Sequence, residues 1–534
     1  MRIVFFGAAR TVTGAAFRIE CEEAKILLDC GLFQGPRELE ERNRRVDLYG
    51  PATTSAVVLS HAHMDHAGLL PAFVASNFAG PIYCTPATKD LCEILLLDSA
   101  HIQEMEAEWQ TRKNLRKGLG PQKPLYTRGD VERTLPLLRP VPYGERRELA
   151  PGTFFRFQDA GHILGSASVE LWAVENGTTT KLVFSGDLGR RHQALVNDPQ
   201  IIEEGEVLLV ESTYGDREHK SQEESVREFV EILEQAYREG EKVIIPAFAV
   251  GRTQEVLYTL HELHRKGIMP PIPVYVDSPL ATAATEIFKK HPECFDGQAR
   301  ALLKLHDQPL ELPRLIFAKT VEESRAINDL KGAAVIIAAS GMANAGRILH
   351  HLKHNLWRPT AHILFIGFQA QGTLGRRIIE GAKSVKLFGE EVAVRAQIHT
   401  LGGFSAHADR RELLDWISHF KSKDMKIFVV HGEEKSAQSL AASLQEAGFS
   451  HVKVPGLMEE VDLTEPVSQE APLPPHRELE PQDLLFLLEK RLRKLRKRLN
   501  REGIPTEAFQ AASGKLRSME EMLHEVEGIL DSRS

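Results

Sequence analysis

The sequence predicts an α/β fold in which helices pack on sheets. Short apolar runs rich in Val and Ile recur along the chain, and a polar residue or Gly closes each of them. Amphipathic helical stretches lie between many of these runs, for example over residues 221–240 and 252–266. Such runs suit strands buried on both faces, and their alternation with helices is typical of α/β proteins.

The predicted strands follow one another in chain order, each ending at a polar residue or Gly. They cover 25–28 before Asp29, 56–59 before Ser60, 181–184 before Ser185, 207–210 before Glu211, 274–276 before Asp277, 334–339 before Ser340, 362–366 before Gly367, and 426–430 before His431. Residues just past strand ends are where α/β proteins usually build sites. Any single one is more often a turn former, so a site is indicated only where several share one chemistry.

Length and composition exclude several classes of protein. A chain of 534 residues is too long for one core and indicates roughly two to four domains. The net charge of −8 excludes a globally basic nucleic-acid coat but leaves room for a local basic groove. Five cysteines without metal-type spacing predict no disulfide framework. Because no apolar run reaches the roughly 18 residues that span a bilayer, no membrane contact and a cytoplasmic location are expected.

The strongest signal is a histidine-rich motif directly after the strand predicted at 56–59. His61, His63, Asp65 and His66 supply four potential metal ligands within six residues. They cannot all lie on one face of a helix or strand, but a tight loop can fan them around two adjacent ions. Imidazole and carboxylate together favour Zn²⁺, with Mn²⁺ as the weaker candidate. The alternative for such a motif alone is an exposed loop of hydrogen-bonded histidines.

Three further ligand-type residues follow this motif, each near Gly and just after a predicted strand. They are His162 in DAGHILG, Asp187 in SGDLG and His431 in VVHGE. Each is weak evidence by itself, but their order behind the histidine motif makes coincidence improbable.

These residues resemble the metallo-β-lactamase superfamily, whose order is an early Asp, the HxHxDH motif, a His, an Asp and a late His. The resemblance implies an αββα sandwich that holds two Zn²⁺ ions per chain. It assigns the first ion to His61, His63 and His162, and the second to Asp65, His66 and His431, with Asp187 bridging both. It also makes Asp29 the residue that orients the motif loop.

The long spacing between Asp187 and His431 predicts an inserted domain. The two ligands must meet at one metal pair although 244 residues separate them, and a structureless loop of that size is implausible. Glu211, His407 and His431 resemble the three extra motifs of the β-CASP nucleic-acid-processing family. PAFAVGRTQE, VDSPLA and ASGMANAGRILHHLK are also similar to its inserted domain. His431 favours the RNA-cleaving branch over the DNA-repair branch.

The resulting domain prediction has four parts. A metallo-β-lactamase domain occupies residues 1–215, an α/β β-CASP domain is inserted at 216–395, and a return segment completes the first domain at 396–460. Residues 461–534 are predicted as a linker and helical C-terminal extension, because the sequence is rich in Pro and Glu over 459–481 and basic over 490–501. A solvated helical hairpin and a nucleic-acid or partner contact both fit that extension.

The resemblance implies two-metal hydrolysis of phosphodiester bonds in single-stranded RNA, endonucleolytic with 5′-to-3′ exonuclease activity also open. Asp187 and Asp65 are assigned to catalysis as well as to the metals. His407 would stabilise the phosphate or protonate the leaving oxygen, and Glu211 would orient it. The candidates for phosphate contacts are Arg252, Ser340, Arg347 and the pair Arg376 and Arg377.

Alternatives remain for several of these positions. Arg252 could be a surface residue, and Ser340 could belong to a plain tight turn instead of an anion-binding nest. His399 competes with His407 for its motif. His350, His351 and His354 are expected on a helix surface.

Alternatives also remain for the whole protein. They are a DNA nuclease, a small-molecule metallohydrolase and a non-catalytic scaffold. The presence of every expected ligand disfavours the scaffold. A homodimer is a family-level expectation.

Overall fold

The computed structural model describes residues 1–367, 369 and 372–463. Its strands are β1 (Arg2–Phe5), β2 (Phe17–Glu20), β3 (Lys25–Leu28), β4 (Ala56–Val58), β5 (Ile82–Cys84), β6 (Leu138–Pro140), β7 (Arg147–Ala150), β8 (Thr153–Asp159), β9 (Ala167–Glu175), β10 (Thr178–Phe184), β11 (Val207–Val210), β12 (Lys242–Pro246), β13 (Val274–Asp277), β14 (Leu315–Phe317), β15 (Ala334–Ala338), β16 (His362–Ile366), β17 (Ser384–Leu387), β18 (Glu390–Ala393), β19 (Gln397–Leu401), β20 (Lys426–Val429), β21 (His451–Lys453) and β22 (Glu459–Asp462).

The helices alternate with these strands. They are α1 (Arg37–Glu40), α2 (Met64–Ala67), α3 (Leu70–Ala75), α4 (Pro86–Leu115), α5 (Arg128–Thr134), α6 (Gln222–Glu239), α7 (Arg252–Arg265), α8 (Pro279–Lys290), α9 (Gly297–Lys304), α10 (Val321–Asp329), α11 (Ile348–Asn355), α12 (Leu374–Ile379), α13 (Arg410–Ser418) and α14 (Glu434–Glu446). Short 3₁₀ helices occupy Glu41–Tyr49, Pro51–Thr53, Leu135–Leu137, Pro292–Cys294 and Gly402–Phe404.

Two seven-stranded sheets face each other and form the central sandwich. The first has the order β22-β1-β2-β3-β4-β5-β6, and the second has the order β21-β20-β11-β10-β9-β8-β7. Apolar side chains from the two inner faces, such as Phe5, Phe17, Phe157 and Phe184, form one buried cluster between the sheets. Burial of this alternating apolar face holds the layers together.

Helices cover the outer faces of both sheets. On the first sheet, outward residues such as Leu27 and Val57 pack in one cluster with Phe73 of α3 and Leu91 of α4. On the second sheet, α13 and α14 pack over β11 and β20. The predicted αββα sandwich is therefore confirmed.

The predicted inserted α/β domain is confirmed as well. Its six-stranded sheet has the order β14-β13-β15-β12-β16-β19, and every pair of neighbours in it is parallel. Strands β12, β15 and β16 are wholly buried, as their continuous Val and Ile runs predict.

Two strands lie at predicted domain boundaries. β19, in the predicted return segment, is hydrogen-bonded to β16 and so extends the six-stranded sheet to residue 401. Residues 459–462, which span the predicted boundary between the return segment and the linker, form β22, which pairs antiparallel with β1. Val461 is buried there in the sandwich core, which explains why this segment is a strand.

The predicted linker and helical extension otherwise lie outside the described residues. Within the described part of the chain, no helix combines the length and the apolar composition needed to cross a bilayer.

Candidate metal centre

The candidate ligands converge because their strands end at one edge of the sandwich. His61, His63, Asp65 and His66 follow β4, and His162, Asp187 and His431 follow β8, β10 and β20. Strand β8 runs antiparallel to β9 and β9 runs antiparallel to β10, while β10, β11 and β20 are parallel. The carboxyl ends of β8, β10, β11 and β20 therefore share one edge of the second sheet.

The first group of ligand atoms surrounds Oδ2 of Asp187. His61 Nε2 lies 3.5 Å from this oxygen and His162 Nε2 lies 3.6 Å from it. His63 Nδ1 lies 3.1 Å from His61 Nε2 and 3.2 Å from His162 Nε2. Three imidazoles and one carboxylate thus present one atom each to a common point, which is a donor set suited to Zn²⁺.

The second group surrounds the other oxygen of the same carboxylate. His66 Nε2 lies 3.2 Å from Asp187 Oδ1 and 3.0 Å from His431 Nε2, and His431 Nε2 lies 3.7 Å from Asp65 Oδ2. Asp187 Oδ1 is buried and accepts no hydrogen bond from any described residue. A buried carboxylate oxygen without a donor, surrounded by imidazole nitrogens, is the environment that a bound cation satisfies.

Burial sets the protonation of the first group of histidines. It lowers the pKa of His61 and His162 well below the usual range and lowers the pKa of His63 to about 4. These imidazoles are therefore neutral near pH 7, the form that binds a metal.

The carboxylates of the centre behave in the opposite way. Burial opposes ionisation of Asp187, but the nearby His431 and His66 outweigh it and hold its pKa well below its usual range. Burial likewise opposes ionisation of Asp65, yet the nearby His431 and His66 outweigh it and bring its pKa to about 2. Both carboxylates are ionised at neutral pH and can bind cations.

Asp29 fixes the loop that carries the histidine motif. Its Oδ1 accepts a hydrogen bond from Ser60 N at 2.7 Å, and its Oδ2 accepts one from Ser60 Oγ at 2.8 Å. The same Oδ2 lies 2.6 Å from His66 Nδ1 and so orients the opposite ring nitrogen, Nε2, toward Asp187. Asp29 has φ of +57°, a left-handed conformation that Asp tolerates better than most residues.

Sequence reasoning missed three groups that orient ligands. Ser60 Oγ lies 3.0 Å from His61 Nδ1, Thr213 Oγ1 lies 3.2 Å from His431 Nδ1, and the carbonyl oxygen of Ala406 lies 3.1 Å from His162 Nδ1. The sequence could have indicated these groups only by their position, since each lies within two residues of a predicted site residue.

His407 and Glu211 meet beside the ligands although 196 residues separate them. His407 Nδ1 lies 3.2 Å from Glu211 Oε1 and 3.9 Å from Asp187 Oδ2. Glu211 is fully buried and accepts hydrogen bonds from the backbone N–H groups of Leu188 and Thr213. Burial disfavours protonated His407, but Glu211 outweighs this effect and raises the pKa of His407 above its usual value.

The competing residue His399 lies elsewhere. It is on β19, and its ring stacks on His362 with the ring centroids 5.3 Å apart. The geometry thus favours His407 as the histidine beside the candidate metal ligands.

Arg252 is one of the predicted phosphate contacts, and the sequence left open that it is an exposed surface residue. The structure shows that it is buried. Its side chain is 9% exposed and pairs with the buried Glu255 on the same helix. It borders Gly367, and its charge lowers the pKa of Tyr214, which burial raises overall. The Tyr214 ring lies 6.1 Å from that of His407, so Arg252 lies near the rim of the site.

The remaining phosphate candidates lie on the inserted domain. Ser340 Oγ bonds within its own turn, to the backbone of Ala345. Arg376 pairs with Glu380 along α12, and Arg377 lines a cavity next to residues 343 and 344. Arg347 donates to buried Asp277 at 2.7 Å and to the carbonyl oxygen of Ala318, which commits its guanidinium to the scaffold.

His351 is a correction to the sequence analysis. It was expected on a helix surface with His350 and His354, but it is fully buried and lies 2.7 Å from Asp277 Oδ2 through Nε2. His350 and His354 are exposed as expected. The inward position of His351 reflects the buried carboxylate at the end of β13, which needs donors.

Comparison with known proteins finds three family models along the chain. The metallo-beta-lactamase superfamily matches residues 10–238, the Beta-Casp domain matches 253–378, and the Zn-dependent metallo-hydrolase RNA specificity domain matches 391–455.

Curated relatives match most of the chain. Ribonuclease TTHA0252 of Thermus thermophilus is 40% identical over 444 residues, which cover 83% of this chain and 96% of the relative. Transcription termination factor FttA of Methanosarcina mazei is 32% identical and covers 83% of this chain and 69% of the relative. FttA of Methanocaldococcus jannaschii is 30% identical, with coverages of 85% and 70%.

A solved structure shares the fold. The crystal structure of a protein of unknown function from Enterococcus faecalis V583 superposes with a TM-score of 0.51 at 15% identity, covering 86% of this chain and 99% of that one.

Proposed function

Because this chain belongs to the β-CASP family of the metallo-β-lactamase superfamily, we propose that it is a zinc-dependent ribonuclease that hydrolyses phosphodiester bonds of single-stranded RNA. Membership of this family makes the chain a metal-dependent hydrolase. The family model that matches residues 391–455 is that of an RNA specificity domain, which supports RNA as the substrate. The observation that carries the proposal is the meeting of seven ligand-type side chains with the His407–Glu211 pair. Action in RNA processing or decay, a cytoplasmic location and a homodimeric state complete the proposal.

Two Zn²⁺ ions fit the two donor groups. His61, His63 and His162 would hold one ion and Asp65, His66 and His431 the other, with one oxygen of Asp187 directed to each. When bound, such a pair would act as a Lewis acid toward the phosphate and would lower the pKa of a bound water to about 7. Asp187, fixed by its burial, sets the separation of the two groups.

His407 is placed to act on the substrate. Glu211 lies next to its Nδ1, so Nε2 is the nitrogen left to meet the phosphate or the leaving oxygen. Since the backbone holds Glu211 through Leu188 and Thr213, the ring of His407 keeps its direction when substrate enters. Protonated His407 would donate to the charge that develops on the scissile group.

Substrate would run from the metal centre onto the inserted domain. Arg252 near Tyr214, Ser340 in its turn and Arg376 on α12 are the residues that we propose for phosphate contact. Phe248 is 44% exposed, and its ring lies against Gly341, next to Ser340, where it offers an aromatic face. Cationic contacts of this kind make binding weaken as salt rises, and aromatic faces favour unpaired bases.

The test is cleavage of a 5′-labelled single-stranded RNA and of the DNA with the same sequence, by zinc-loaded wild type and by His407→Ala. Wild type should cleave RNA in preference to DNA. His407→Ala should lose about 10²–10⁴-fold in rate while it keeps its zinc, since His407 contributes to the chemistry and not to metal binding. His419→Ala, a histidine on the surface of the second sheet's helical layer, is the matched control and should cleave RNA like wild type.

Other outcomes would count against the proposal. Preferential cleavage of DNA would indicate a DNA nuclease. Turnover of a thioester or lactone without cleavage of RNA would indicate a small-molecule hydrolase. Equal activity of His407→Ala and wild type would refute the role of His407.

A further inference from the structure

Helix α4 is half buried and half exposed along its length. Thr85 caps its N-terminus by accepting a hydrogen bond from Thr88 N, and Pro86 occupies its first position. Leu91, Leu96 and Ala100 are fully buried in the core on its first half. The remaining residues to Leu115 continue the helix beyond that core.

The second half of α4 presents a row of large apolar side chains to solvent. Ile102 is 46% exposed, Met105 is 56% exposed and Trp109 is 54% exposed. Their spacings of three and four residues place them on one face of the helix. Leu115 and Leu119 at the helix end are also exposed, by 62% and 56%. Large exposed apolar patches on a protein surface mark interaction sites, because their contact with water is unfavourable.

Charge along this stretch changes sign at Trp109. Glu104, Glu106 and Glu108 precede it, whereas Arg112, Lys113, Arg116 and Lys117 follow it. Lys113 already lies over the Trp109 ring, with Nζ 3.5 Å from the ring centroid. The face is therefore acidic on one side of its aromatic centre and basic on the other.

We propose that this face of α4, residues 102–116, is an interface between two copies of the chain, paired antiparallel about a two-fold axis at Trp109. A surface whose charge reverses about its centre is complementary to itself when the second copy runs in the opposite direction. The acidic half of each helix then faces the basic half of the other. The same acidic half argues against RNA as the occupant, because it would repel phosphates.

Helix geometry specifies the pairs. At 100° per residue, Glu106 and Lys113 lie on the same flank of the face, on opposite sides of Trp109. Reversal about the two-fold axis brings Glu106 opposite Lys113 of the partner subunit, and this contact occurs twice. Glu108 comes near Arg112 of the partner subunit on the other flank. Trp109 packs at the centre, where interface side chains contribute most to affinity.

The proposal builds on the homodimer proposed above and places its interface on α4. It does not depend on whether the chain cleaves RNA. The exposed half of α4 holds none of the candidate ligands, so metal content and RNA cleavage report on the catalytic proposal separately. One helix face is small for an interface, which predicts a dissociation constant in the micromolar range.

Sedimentation of the full-length chain from ~0.1 to ~100 μM should show a monomer–dimer equilibrium. Trp109→Glu should raise the dissociation constant at least about 30-fold, since it places a charge at the centre of the interface. Leu305→Glu, at a site 72% exposed on the inserted domain, is the control and should leave the equilibrium unchanged. Retained zinc content and RNA cleavage verify the fold of each variant.

A charge exchange tests the antiparallel register. Glu106→Lys alone and Lys113→Glu alone should each weaken the dimer, because each places like charges opposite one another. The double variant should restore most of the affinity. A chain that stays monomeric over the whole range, a dimer that survives Trp109→Glu, or a double variant no tighter than the singles would each overturn the proposal.

Discussion

Asp29 illustrates how much of the candidate metal centre depends on one residue that does not itself belong to either ligand group. Its two oxygens hold Ser60 through backbone and side chain, and one of them also meets His66 Nδ1. Through these bonds a residue at the end of β3 fixes the loop after β4. The two strands are parallel neighbours, which makes this short connection possible.

Replacing Asp29 by Asn should weaken zinc binding while the fold is kept. Asn tolerates the positive φ but carries no charge to polarise His66, so zinc affinity should fall about 10–100-fold. Competition with a chromophoric chelator measures this affinity. Asp47→Asn, at an exposed carboxylate, is the control; equal affinity in both variants would contradict the role given to Asp29.

Asp159, which is not itself a candidate ligand, gives a pH dependence of stability that can be tested in the metal-free chain. Burial raises its pKa to about 7, although Gly161 N and Asn197 Nδ2 both donate to it. The folded chain therefore binds this proton more tightly than the unfolded chain, whose carboxyl titrates near pH 4. Protonation of Asp159 therefore stabilises the folded chain. This contribution to the free energy of unfolding is fully present below pH 4 and is lost as the pH rises to about 7.

Asp159→Asn removes the titrating carboxyl group and with it the loss of stability at high pH. Between pH 4.5 and pH 8, the free energy of unfolding of the variant relative to wild type should rise by about 3 kcal/mol. Denaturant unfolding of the metal-free chain at both pH values measures the change, and comparing two pH values cancels any constant effect of the lost hydrogen bond. A pH-independent difference between the two proteins would contradict the raised pKa.

At this scale the sequence predicts the candidate ligands and misses the groups that orient them. His61 and Asp187 stand out because a His or an Asp in these motifs, at these strand ends, is rarely a simple turn former. Ser60 and Thr213 do not, because a hydroxyl near a strand end is common and only the fold shows which ring it meets. Arg347 was predicted to contact phosphate, but it donates to buried Asp277. The sequence does not distinguish an Arg that is free to bind a ligand from one that bonds a buried carboxylate.

At the scale of elements, a buried polar network joins three pieces of the inserted domain. Asp277 at the end of β13 is fully buried and accepts from Ser324 Oγ of α10 at 2.6 Å. It also accepts from Arg347 at 2.7 Å and lies 2.7 Å from His351 Nε2 on α11. With burial opposing ionisation, these donors still lower the pKa of Asp277 below its usual value. The network ties both helices to the central strand.

His351→Leu should destabilise the chain by about 2–4 kcal/mol, because it removes the imidazole that bridges buried Asp277 and Asn328. His350→Leu changes the neighbouring exposed residue and should shift the free energy of unfolding by less than about 0.5 kcal/mol. Denaturant unfolding of the pair measures both. Similar values for the two variants would refute the importance of the network.

Elements with strong apolar patterns are predicted well from the sequence, and others are not. The strands at 25–28, 207–210 and 362–366 agree with β3, β11 and β16 residue for residue. β19 was not predicted because QIHTL is short and largely polar, and only its pairing with β16 makes it a strand. Long-range pairing of that kind leaves no local signal.

For the whole molecule, the inserted domain separates residues in sequence that the sandwich brings together. Glu211 precedes the insert and His407 follows its last strand, yet their side chains lie 3.2 Å apart. The distance between Asp187 and His431 along the chain was enough to predict an insert. It was not enough to predict strand order, because several sheet topologies would bring the same ligands to one edge.

The central claim is that two zinc ions, held by the two donor groups that share Asp187, are needed for RNA cleavage. Titration of metal-free wild type with Zn²⁺, with bound zinc and cleavage rate of single-stranded RNA measured at each point, tests it most directly. We predict binding of two zinc ions per chain, and cleavage that rises with occupancy of the second. Full activity with one ion, or two bound ions without any RNA cleavage, would contradict the claim.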